Sequence, residues 1–261
     1  MPMMSANQTE LYYEVSSAGQ PVVLIHGLGS SRRDWAPQVA EFSKNYQVVN
    51  LDLRGHGRSA KPAGPDRIDM LAADVAGVLQ SLGVASAHMV GISLGGAVAF
   101  QFALDYPAMV RTLTIVNSAP TLGGTPQEAE AEIARRIGIV QQMGMRAIGQ
   151  NIGANLFPKP EQAGLRETFV ERWAENDPEA YIAATRCMLG WDVTARLGEI
   201  KRPVLVIAAD QDYTPVAAKE AYIKLMPDAR LVVIPDAHHA VPLERPEAFN
   251  TVLAQFLAEH N

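Results

Sequence analysis

Short apolar runs recur along the chain and alternate with segments whose apolar residues fall at helical spacing. Glu10 to Val15 alternates weakly and carries two tyrosines, which predicts an edge strand near the N-terminus. Pro21-Val22-Val23-Leu24-Ile25 is apolar throughout, as a strand buried on both faces requires. A helical pattern over Asp34 to Phe42 follows, then a second apolar run from Tyr46 to Leu51. Ile68 to Leu82 again shows helical spacing and stops at Gly83, a residue suited to a C-cap. The run beginning at His88 ends at Gly91, and a helix rich in small residues starts directly after Ser93. Leu113 to Val116 predicts another strand, closed by Asn117-Ser118-Ala119-Pro120.

From about Thr121 to Leu197 the pattern changes. No β-rich run stands out there. The segment reads as helices punctuated by Gly123-Gly124, Pro158-Lys159-Pro160 and Asp177-Pro178. Strand-like runs resume at Pro203 to Ala209 and Arg230 to Ile234, and Pro246 to His260 closes the chain as an amphipathic helix. Strands alternating with helices imply an α/β fold, a mainly parallel central sheet with helices on both faces. The expected division is a core over residues 1–120, an inserted helical cap over 121–197, and the remainder of the core over 198–261. The cap is rich in Met143, Met145, Met188, Trp173 and Trp191, which could either pack its interior or line an apolar pocket.

Composition narrows the partners. At 261 residues and 48% hydrophobic, the chain has the size and make-up of one large globular domain with an insertion. The net charge of −6 comes without a basic stripe, which argues against a nucleic-acid partner. A single cysteine, Cys187, excludes an internal disulfide and a cysteine-based metal cluster. The start, Met1 to Gln8, lacks the basic and apolar regions of a signal peptide, and no apolar run approaches a membrane span. The expectation is a soluble, cytoplasmic protein without a membrane partner, monomeric or homodimeric.

The chemistry gathers around Gly91-Ile92-Ser93-Leu94-Gly95. Strand, sharp turn and helix with serine at the apex fit a nucleophile elbow, where a strained backbone exposes the hydroxyl. The glycines then leave room for the close approach of strand and helix. An ordinary turn with an N-capping serine is the competing interpretation. A serine hydroxyl needs a base, and the base needs an orienting group. In an open parallel sheet such groups collect beyond the carboxyl ends of strands. Asp210 and Asp212 follow one late strand; Asp212 lies deeper in its loop and has more freedom to turn towards a histidine. His238 and His239 follow the next strand, giving the chain order serine, aspartate, histidine. The backbone N–H groups of Leu28 and Leu94 are the candidate oxyanion donors. His26 and His56 read as loop-tying residues.

Together these pieces resemble the α/β-hydrolase family, in particular the small bacterial serine branch of carboxylesterases, enol-lactonases and C–C bond hydrolases. The resemblance rests on His26-Gly27-Leu28-Gly29, Asp52-Leu53-Arg54-Gly55-His56-Gly57-Arg58-Ser59, Gly91 to Gly96, the Asp210–Pro215 loop, and His239 with Glu244-Arg245-Pro246-Glu247. It implies Asp212 as the acid, in a loop one residue shorter than the family's usual form and with Ala209 in place of a glycine. It implies His239 as the base, since Glu244 follows it at the family's spacing and His238 takes the preceding glycine's place. The implied activity is hydrolysis of a small-molecule ester or lactone through an acyl-enzyme on Ser93, with no metal and no cofactor. Cleavage of a vinylogous diketone, perhydrolysis, acyl transfer and a slow-turnover ligand receptor are the alternatives on the same scaffold.

Overall fold

The structure is a computed structural model and describes residues 3–64, 66–121 and 125–261. The Gly123-Gly124 break therefore lies outside the described residues, as do Met1 and Pro2. Among those described, eight strands form one sheet: β1 (Met3–Ala6), β2 (Thr9–Ser16), β3 (Gln20–Ile25), β4 (Tyr46–Leu51), β5 (Ala87–Ile92), β6 (Val110–Val116), β7 (Val204–Ala209) and β8 (Ala229–Ile234). Their spatial order is β1-β2-β4-β3-β5-β6-β7-β8. The six strands from β4 to β8 pair in parallel, and β1 and β2 extend the sheet antiparallel. One expectation needs correcting. The strand over Glu10 to Val15 is not at the edge, because β1 pairs along its outer side.

Nine α-helices are present among the described residues: α1 (Ala36–Phe42), α2 (Ile68–Ser81), α3 (Leu94–Asp105), α4 (Pro126–Leu156), α5 (Ala163–Ala174), α6 (Pro178–Arg186), α7 (Val216–Ile223), the single turn α8 (Val241–Glu244) and α9 (Pro246–Glu259). The strands show why their sequences are apolar without interruption. Val23 and Ile25 of β3 pack with α2 and α3, whereas Val22 and Leu24 of the same strand pack with Trp35 and α9. Successive side chains point to opposite faces, so both sets must be hydrophobic. None of the described helices is long and apolar enough to cross a membrane.

Between β6 and β7 the chain forms α4, α5 and α6, and the strand-like pairing there is the isolated bridge between Thr121 and Asp192. α4 is two helical stretches meeting at Gly144, whose φ of 78° lies in the left-handed region. The helices have an apolar centre of their own, with Val140, Ile148, Phe157, Phe169, Trp173 and Tyr181 packed together. Met145 belongs to this interior, while Met143 is 66% exposed.

Candidate active site

The turn after β5 is built by steric exclusion. Ser93 has φ 55° and ψ −120°, a conformation that L-residues rarely adopt. A Cβ on Gly91 would stand 2.1 Å from the carbonyl oxygen of Gly95, and one on Gly95 would stand 2.2 Å from that of Ile25. The strained residue is held in place by its amide bonding to Val116 O and its carbonyl accepting from Ser118 Oγ at 2.7 Å. The loop after β3 lies against it: a Cβ on Gly27 would come within 3.8 Å of Ser93 Oγ. That loop brings the Leu28 amide to the same region, and among the described residues this amide donates to no protein acceptor. Leu94 is the first residue of α3, so its N–H has no intrahelical acceptor.

Asp212 and His239 meet across the next two loops. His239 Nδ1 is 2.7 Å from Asp212 Oδ1. Asp212 Oδ2 accepts from Lys219 Nζ at 3.0 Å and from the Thr214 hydroxyl, and neither charged side chain of the Asp212–Lys219 pair reaches solvent to any extent. Burial opposes ionisation of Asp212, but the imidazole hydrogen bond and charge of His239, with Thr214 and Lys219, hold its carboxyl below the ordinary value. Asp210 turns elsewhere, accepting from the Ala237 amide at 3.1 Å. His238 is bound by Glu244, which receives the His238 amide at 2.5 Å and contacts its Nδ1 at 2.9 Å. The glutamate after the histidine loop thus anchors that loop through its neighbour.

Two residues at this centre carry roles that the sequence reading missed. Asn117, positive in φ at the end of β6, donates to His239 O at 2.9 Å and accepts from the Ala209 amide at 2.9 Å. It joins the loop of His239 to the strand that precedes Asp212. Tyr213 stacks on the His239 ring with centroids 4.2 Å apart, and its hydroxyl lies 2.7 Å from Nε2. Nε2 therefore meets the phenol, and Tyr213 and Ser93 border the same cavities. A tyrosine carries no motif, so its position after Asp212 was the one available signal.

The other singled-out histidines hold loops. His26 accepts the Leu53 amide at Nε2 (3.0 Å) and donates from Nδ1 to Gly27 O (2.8 Å). Burial holds its pKa below the ordinary value and pushes that of His56 down to about 3. The Asp52–Ser59 stretch is a turn organised by Asp52, which accepts the Arg32 and Arg58 amides. Arg54 in the same turn makes a buried two-pronged contact with Asp74 at 2.5 Å per bond.

Two cavities meet at Ser93. One of about 260 Å³ is lined by Ile139, Ile148, Ile152, Phe169 and Trp173 of the inserted helices. The other, about 750 Å³, is lined by Met188, Trp191, Ala218 and Tyr222 among others. Trp173, Met188 and Trp191 thus line these cavities, whereas Met145 and Met143 line neither. Ser93, Leu28, Arg136 and Tyr213 border both.

The fold and much of the sequence recur in known proteins. A family model described as "Alpha/beta hydrolase family" matches residues 22–252. A protein of Azorhizobium caulinodans named as a carbamate hydrolase, RutD, is 31% identical over 99% of this chain and 99% of its own. A 3-oxoadipate enol-lactonase of Acinetobacter baylyi is 31% identical over 96% of this chain and 93% of its own. Among solved structures, the enol-lactonase from Burkholderia xenovorans LB400 superposes with a TM-score of 0.92 at 28% identity, covering 98% of this chain and 100% of that one.

Proposed function

The chain belongs to the alpha/beta hydrolase family, and from that premise we propose that it is a serine hydrolase of carboxylic esters, lactones included, working through an acyl-enzyme on Ser93. The observation that carries the proposal is the 2.7 Å contact between His239 Nδ1 and the buried Asp212, in the same cleft as a strained and accessible Ser93. Once the Tyr213 hydroxyl leaves Nε2, that nitrogen takes the proton of Ser93 as its oxygen attacks the acyl carbon. Asp212 keeps the proton of the imidazole on Nδ1 and stabilises the imidazolium. The Leu28 and Leu94 amides receive the developing oxyanion. His239 then passes its proton to the leaving alcohol and later draws one from the water that releases the acid.

Carbamate cleavage is the second reading, favoured by the name of the Azorhizobium relative. It uses the same attack, with a carbamoylated serine in place of the acylated one. A panel of nitrophenyl esters, small lactones and carbamates distinguishes the two. The expected result is turnover of esters and lactones at least tenfold above that of carbamates, together with sulfonylation of Ser93 by phenylmethylsulfonyl fluoride in the intact-mass spectrum. A chain that turned over none of the three and resisted the sulfonyl fluoride would defeat the serine-hydrolase proposal.

The two aspartates give a sharper test. Asp212→Asn should lower kcat on the best ester by about 10³- to 10⁴-fold, because the amide favours the wrong imidazole tautomer. Asp210→Asn should stay within about threefold, since its carboxylate serves the Ala237 amide. Steady-state kinetics in the opposite order would move the acid role to Asp210.

A further inference from the structure

The position of Tyr213 has a meaning beyond the triad. Asp212 is committed on both carboxylate oxygens, to His239 on one side and to Lys219 and Thr214 on the other. The backbone of the next residue is thereby fixed, and its side chain is set over the reaction centre. Tyr213 is 65% exposed, and the surface it offers borders both cavities. It stacks against His239, and its hydroxyl meets Nε2 of that ring. The small apolar cavity and the larger one both border this ring, and Ser93 lies where they join.

We propose that Tyr213 is the specificity-determining residue of this hydrolase: its ring is the partition between the two chambers, and it restricts the cleft to substrates that are slim at the reacting carbonyl. An ester seated for attack places one arm in each chamber. Its carbonyl must pass beside the phenol, which gives way from Nε2 by a side-chain rotation. An unbranched acyl carbon fits that passage. A branched one meets the ring, so discrimination falls on the atoms next to the carbonyl and not on the length of the arms. The hydroxyl is a resting partner of the imidazole and takes no part in proton transfer. The inference rests on Ser93 being the nucleophile.

The experiment compares nitrophenyl acetate, nitrophenyl octanoate and nitrophenyl 2-propylpentanoate with wild type, Tyr213→Phe, Tyr213→Ala and Ser93→Ala. Tyr213→Phe keeps the partition and removes the hydroxyl, so the ratio of kcat/KM between the branched ester and acetate should stay within about threefold of the wild-type ratio. Tyr213→Ala should raise kcat/KM for the branched ester at least tenfold relative to acetate, while the ratio of octanoate to acetate moves less than threefold. Melting curves establish that each variant is folded. The proposal is overturned if Tyr213→Ala leaves the branched-to-acetate ratio unchanged. It is equally overturned if Tyr213→Phe loses a hundredfold in kcat across the panel with KM constant, because the phenol would then be a proton relay. Hydrolysis by wild type that survives Ser93→Ala undiminished would instead remove the nucleophile assignment on which both proposals stand.

Discussion

Ser93→Ala should lower kcat on the best ester by about 10⁴-fold or more, equivalent to about 5.5 kcal/mol of lost transition-state stabilisation. The neighbouring serine hydroxyls are engaged elsewhere. Ser118 donates its own hydroxyl to the Ser93 carbonyl, and Ser30 is bound to Asp34. The residual rate should come from the Leu28 and Leu94 amides and from binding alone, as in serine hydrolases stripped of their nucleophile. Folding should be little affected. The strain at φ 55° resides in the backbone and alanine inherits it, so the melting temperature should change by no more than a few degrees. Steady-state kinetics paired with a thermal melt checks both halves. Activity within tenfold of wild type would mean that the acyl group never rests on this residue.

Gly95→Ala should act on the fold and not on the chemistry. The added methyl would stand 2.2 Å from Ile25 O, 2.6 Å from His26 O and 2.7 Å from Ile25 C, all of them backbone atoms. No rotamer change relieves a collision with main chain, and moving β3 would disturb its pairing with both β4 and β5. The cost should exceed about 4 kcal/mol, enough to leave much of a marginally stable chain unfolded or insoluble. Gly138→Ala in α4 is the matched control, because a Cβ there meets nothing within 4 Å. That variant should be neutral or stabilising by up to about 1 kcal/mol, by the lower helix propensity of glycine. Soluble yield and chemical denaturation measure the contrast. Equal stability of the two variants would show that the elbow tolerates far more movement than its packing implies.

The core was largely legible because its chemistry is local and repetitive. Strands covered on both faces are apolar almost throughout, and β3, β4 and β7 were found within a residue or so of their ends for that reason; β8 was found as readily from its apolar run, although it lies at the sheet edge. The N-terminal strand misled, since weak alternation says that one face is polar but not whether another strand pairs alongside; β1 does. The inserted helices were recognisable as helices, while the irregularity at Gly144 was not foreseen.

At the cleft, residues with a motif were easier to find than residues placed by geometry. Ser93 lies between glycines whose spacing has a steric cause. Asn117 stood out only as the end of a strand, although its amide spans the strand before Asp212 and the loop of His239. Lys219 falls in a short helix, where a lysine ordinarily points to water; its burial follows from the orientation of Asp212, which no local pattern encodes. Tyr213 was passed over for the same reason. Its importance depends on two cavities that form when segments more than a hundred residues apart come together.

The short loop after β3 has one further consequence. Its Gly29 carbonyl accepts from Asn176 at 2.7 Å, and the Trp173 ring packs so tightly on Gly29 that a Cβ would lie 2.6 Å away. Just beyond it, Asp34 is paired with Arg172 at 2.5 Å and Arg33 with Glu175 at 2.6 Å. The segment presenting the Leu28 amide is therefore also the mounting plate for α5. Roof and machinery are not independent modules here. A roof transplanted from another hydrolase without counterparts of Arg172, Trp173 and Asn176 would carry its new selectivity onto a loosened amide, and would lose rate on every substrate alike.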